Sequence, residues 1–136
     1  GALAGLVAIT AEPLTPSVPM AILIGGIGGT IVVFAVPALD RLKIDDVVGA
    51  IPVHLLAGIW GTMAVPLTNS SSNFVAQATG VVAVGVFVSV TSALVWIVLK
   101  YTIGLRPDEE EEMAGLDMAE IGILAYPEFG PTGQSA

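Results

Sequence analysis

The sequence predicts an all-α fold, a polytopic transmembrane helix bundle, on three observations. Three apolar runs, 20–39, 47–67 and 74–99, contain no Lys, Arg, Asp or Glu. At about 1.5 Å per helical residue, the middle run alone reaches roughly 30 Å, the thickness of a bilayer's hydrocarbon core. Hydrophobic residues make up 54% of the chain and charged residues 12%, against the roughly 25% charge of an average soluble domain. Finally, Arg41 and Lys43 follow one run and Lys100 and Arg106 follow the last, so in an alternating topology every basic residue falls on one side. That side is expected to be cytoplasmic.

The first apolar run, 1–11, is about half the length needed to cross, and the chain opens on Gly1. It reads as half a helix. No basic residue precedes Arg41 to form the n-region of a signal peptide, so the expectation is a C-terminal fragment of a longer protein. In the second run, 20–39, Gly25, Gly26, Gly28 and Gly29 permit close approach of another helix, and Gly25 and Gly29 form a G-x-x-x-G pair. That pair is a packing signal. The third run, 47–67, carries the chain's one histidine, His54. The fourth, 74–99, is long enough to cross with tilt, and Trp96 and Tyr101 suit an interface. The connections 12–19 and 68–73 hold no basic residue and are rich in Pro, Asn and Ser. They are expected to be short loops on the opposite, outer face.

Residues 1–106 thus form a transmembrane region and 107–136 an acidic tail. The net charge of −8 belongs to that tail, because Asp108, Glu109, Glu110, Glu111, Glu112, Asp117, Glu120 and Glu128 all lie in it. A weakly amphipathic stretch ending at Tyr126 and Pro127 leads us to expect partial order there. Four basic residues offer no patch that could track a phosphate backbone, which excludes nucleic acid as a partner. With no cysteine there is neither a disulfide framework nor a thiolate metal site. No pairing of nucleophile and base and no phosphate-binding glycine loop is present, so an enzyme is not expected.

His54 is the candidate functional residue. An ionisable side chain inside an apolar span costs a few kcal/mol or more unless it faces a bundle interior or polar cavity, and so marks a pathway by default. The bland alternative is a packing histidine bonded to a neighbouring helix. Metal or haem ligation is weaker, because a lone His has no second ligand at helical spacing. Around it, Gly58 and Gly61 read as close-packing residues beside Trp60. Pro52 withdraws one backbone donor and bends the helix or frees a carbonyl. Asp45 and Asp46 read as a cap for the entering helix, where an aspartate meets unpaired amides.

Four blocks, GALAGLVAITA (1–11), DRLKIDD (40–46), VGAIPVHLLAGIWGT (48–62) and the tail pattern of Gly104-Leu105-Arg106, the acidic run, Gly115-Leu116-Asp117 and Ala125-Tyr126, together resemble the ammonium transporter (Amt/Mep/Rh) family, most strongly its bacterial Amt type. The resemblance covers nearly the whole chain. It implies a homotrimer whose eleven-helix subunits each enclose a narrow hydrophobic pore, with this chain corresponding to helices eight to eleven. It also implies a pair of pore histidines, of which His54 matches the second; the first belongs to the part this chain lacks. Neutral imidazole offers one donor and one acceptor, and NH4+ loses many kcal/mol of hydration in low dielectric. The expected activity is therefore transport of ammonium as NH3 and H+ separated and recombined through a histidine relay.

In the tail, Arg106, Gly115, Leu116, Asp117 and Tyr126 match a family element implied to dock on the cytoplasmic surface and regulate flux. A PII-type signalling protein is the implied partner there. This chain departs from the pattern at Ile121, where many members have His, and at Ala119, where plant relatives carry a phosphorylatable threonine. Phosphorylation at that position is thereby excluded. The implied location is the inner (plasma) membrane, multi-pass in the lipid bilayer with a cytoplasmic tail, and no cofactor or metal is expected. The alternatives are an ammonium sensor, which the absence of a kinase-like or cyclase-like extension disfavours, a Rhesus-type gas channel, which the Gly-Leu-Asp tail disfavours, and a structural helical module.

Overall fold

The computed structural model describes residues 1–124 and 126, and among these every regular element is helical. Ala125 and residues 127–136 of the predicted tail, Pro127 and Glu128 among them, lie outside the described residues. Helix α1 is Ala2–Ile9 and α2 is Val18–Arg41. A π-helical turn, Ile51–Leu56, leads into α3, Ala57–Ala64, which tightens into a 3-10 turn at Val65–Leu67. Helix α4 is Phe74–Thr102, followed by α5, Glu109–Ala114, and a second π turn at Asp117–Ile121. Contacts divide the chain into one unit, Gly1–Val88, and a second beginning at Ser89.

Helix α2 starts with Pro19 in its first turn, where a missing N–H is harmless, behind the extended Ser17. It stops because Lys43 turns left-handed at φ 57°. Ile44 N–H then donates to the Leu39 carbonyl and Lys43 N–H to that of Asp40, both at 3.0 Å. This is the paired-bond stop usually given to glycine, here made by a lysine. Helix α4 ends on Gly104, at φ 90°, whose N–H donates to the Leu99 carbonyl at 3.0 Å.

Among the described residues two helices, α2 and α4, are long and apolar enough to cross a membrane, whereas the helical stretch through the third apolar run is shorter. The expected run 47–67 becomes helical only near Ile51. Val47 and Val48 are spent in a turn that closes on Gly49, at φ 71°. Hydropathy counts such residues into a span; the backbone does not, because a left-handed residue ends helical geometry locally.

The core of the first unit is a contact between backbones. Ala4, Val32, Val53 and Ala57 form one buried cluster, with Val7 packed against it, and Ala8, Ile24 and Ala64 form another, flanked by Ile9, Met20 and Trp60. A Cβ on Gly5 would stand 3.1 Å from the Gly25 carbonyl oxygen, and one on Gly29 would stand 3.2 Å from that of Gly1. The G-x-x-x-G pair therefore lies where α1 crosses α2. Without a hydrophobic force between helices in lipid, such small residues hold helices together by close approach and dispersion.

Candidate functional site

The site is built by the segment that carries His54. Upstream, the Asp46 carboxylate receives two backbone bonds, Ala50 N–H on Oδ1 at 2.8 Å and Ile51 N–H on Oδ2 at 2.7 Å. Capping, expected of the Asp45 and Asp46 pair, is thus carried by Asp46. Gly49 N–H donates to the Asp46 carbonyl at 3.1 Å, and Val53 N–H donates back to Gly49 at 3.0 Å. The chain then enters the π turn, which closes where Ala57 N–H donates to the carbonyls of both Pro52 and His54. The Pro52 carbonyl is thus engaged, and the Pro52 ring is fully buried.

Downstream, Ala57, Gly61 and Ala64 form the buried stripe of α3. At Gly61 the approach is closest: an added Cβ would fall 2.2 Å from the Ala8 carbonyl oxygen. Gly61 is a packing residue, as expected, whereas Gly58 has only the Val7 side chain near its missing Cβ, at 3.9 Å. The Trp60 indole N–H donates to the Ile24 carbonyl at 2.9 Å and ties α3 to α2. His54 lies next to buried Val53, yet it is exposed, as is Leu55. It stands outside both buried clusters. Among the described residues no group of three or more His, Cys, Asp and Glu side chains could hold a metal ion.

The tail residues belong to the second unit. Arg106 Nη2 pairs with Glu112 Oε1 at 2.6 Å, both side chains being largely exposed, so the pair adds little stability. Gly115 takes φ 96°, and a Cβ there would meet Asp117 Oδ1 at 2.9 Å. The same oxygen accepts the Met118 N–H at 3.1 Å. Leu116 is 41% and Tyr126 70% exposed. The structure thus joins Gly115 to Asp117 in one turn and Arg106 to the acidic run.

Sequence reasoning missed two polar links. Asn69 Nδ2 donates to Glu12 Oε2 at 2.9 Å, joining the two loops expected on the outer face. The available signal was one acid in a loop opposite an Asn-rich loop. The other is the Trp60 bond to Ile24, for which an indole among glycines was the only hint.

Residues 1–126 match the Ammonium Transporter Family. Ammonium transporter Amt1 of Haloferax mediterranei is 41% identical over 95% of this chain and 26% of its own length. Ammonium transporter Amt2 of Archaeoglobus fulgidus is 37% identical over 95% of this chain and 32% of its own length. The ammonium transporter of Mycobacterium tuberculosis is 33% identical over 93% and 31%. The chain therefore spans about a quarter to a third of the length of these relatives. A match across nearly the whole chain, joined to an all-helical apolar architecture, means that this chain belongs to the ammonium transporter family.

Proposed function

We propose that this chain forms part of a pore conducting ammonium as ammonia and a proton, with His54 as a relay group on the pore wall. The observation that carries the reading is the placement of His54 as an exposed imidazole beside a buried stripe, in a run otherwise free of charge. Within this chain the imidazole is presented away from the clusters that α1 and α2 form. Neutral imidazole accepts at one nitrogen and donates at the other, so it can receive ammonia or pass a proton without holding charge in low dielectric.

On this reading the protein transports and does not catalyse, and it sits in the inner membrane as one subunit of a homotrimer. By alternating topology Arg41 and Lys43, and separately Lys100 and Arg106, are assigned to the cytoplasmic side, and the Glu12 to Asn69 clasp to the outer side. The turn at Gly115, Leu116 and Asp117, with Arg106 and Tyr126, serves regulation, including contact with a PII-type signalling protein. The test is His54→Ala in the full-length protein, assayed by ammonium-evoked current. A fall of about tenfold or more, a barrier rise of about 1.4 kcal/mol, is expected. Unchanged current and selectivity would remove the relay.

A further inference from the structure

Asp46 is the ionisable side chain nearest His54 along the sequence, and its surroundings give it a specific task. Both of its carboxylate oxygens are taken by the adjacent amides of Ala50 and Ile51. Ordinary caps such as Ser offer one oxygen to one amide. Asp46 lines a cavity of about 290 Å³ with Val36, Leu39, Asp40, Ile44, Val48 and Pro52, and bonds from N–H groups to a carboxylate are charge-assisted, the stronger kind. The clamped amides lie at the entrance of the π turn Ile51–Leu56, within which His54 sits.

A π turn is rare and contains more residues per turn than an α-helix, so it needs restraint at both ends to persist. Its downstream end is restrained by the stripe packed on α1 and by the Trp60 indole on Ile24. Its upstream end is restrained by Asp46. Relaxation of the turn to α-helical pitch shifts the register by one residue, which rotates the upstream side chains by up to about 100° against Ala57, Gly61 and Ala64. His54 would then leave the exposed face and a neighbour would take its place.

We propose that Asp46 is a positioning residue for His54: its two-oxygen clamp on Ala50 and Ile51 holds the π turn and thereby sets the face to which the imidazole points. The geometric part stands independently of transport; only its flux readout rests on the proposed role of His54. This chain has no cysteine, so a reporter thiol placed in it is unambiguous once any thiols elsewhere in the full-length protein are replaced.

The experiment labels His54→Cys and, separately, Leu55→Cys with a small methanethiosulfonate, each in the parent, Asp46→Asn and Asp46→Ala backgrounds of the full-length protein. His54 and Leu55 are both exposed and Val53 is buried; one residue of rotation carries position 54 toward the buried place of Val53 while position 55 stays exposed, so the ratio of the two labelling rates is expected to change about threefold or more in Asp46→Ala. Asp46→Asn keeps one acceptor oxygen and is expected to fall between. With His54 intact, Asp46→Ala lowers maximal ammonium flux while the half-saturating concentration stays put, and Asp46→Asn restores part of the flux. An unchanged labelling ratio in a variant that reaches the membrane overturns the proposal, whatever the flux does. A changed ratio with unchanged flux upholds the positioning and sinks the relay instead. Should Asp46→Ala fail to reach the membrane, the same ratio in Asp46→Asn decides in the same way.

Discussion

Helices α2 and α4 have similar apolar character and both are long enough to cross a bilayer, yet the chain covers one and leaves the other bare. Helix α2 buries Ile24, Gly28 and Val32, while α4 buries nothing. Their glycines explain the contrast. A Cβ on Gly28 would stand 2.6 Å from that of Ala8, so α1 lies against the helix backbone; Gly80 and Gly85 of α4 have nothing within 4 Å. Hydropathy selects a helix for lipid but does not choose its neighbour, because in lipid a valine gains little by leaving the acyl chains. Small residues choose it, by letting backbones meet.

The largest way to test that contrast is Gly61→Ala. Its methyl would overlap the Ala8 carbonyl, and backbone atoms do not yield as side-chain ends do, so a loss of about 3 kcal/mol or more is expected. Unfolding in detergent measures it. A smaller effect is expected from Asn69→Ala, which removes the donor to Glu12 from half-buried loops. Discounted for solvent, that bond is worth about 1 kcal/mol, and Glu12→Gln with Asn69 intact, which keeps an acceptor for the amide, should lose less in the same assay. The smallest effect belongs to Gly85→Ala, expected within about 0.5 kcal/mol of the parent. A loss there matching Gly61→Ala would break the comparison and show that parts of the protein beyond these residues cover α4.

Much of this architecture was legible in the residues. Runs free of charge marked α2 and α4, because a helix long enough for a bilayer needs only length and apolarity. Gly25 and Gly29 declared a packing face, and α1 occupies it. An aspartate before an apolar run foretold a cap, since it meets amides that a helix start leaves open. The third run misled by its length. Gly49 and Asp46 build a turn from Val47 and Val48, and no hydropathy window registers a left-handed backbone.

By itself, then, the sequence determined the helical class, the runs apolar enough for lipid, the outlying charge of the tail and the choice of His54 as the residue to explain. Each of these follows from local chemistry: transfer of side chains to apolar surroundings, backbone bonding within a helix, and the cost of an ionisable group in a span. Only the tertiary structure decided that His54 rides on a π turn, that Asp46 holds both entering amides, that Trp60 reaches Ile24 and that Glu12 meets Asn69. The physical reason is distance along the chain. The bond from Trp60 spans 36 residues and that from Asn69 spans 57, and such pairings exist only after the helices have met. The pitch of the turn under His54 is itself a compromise between restraints at its two ends.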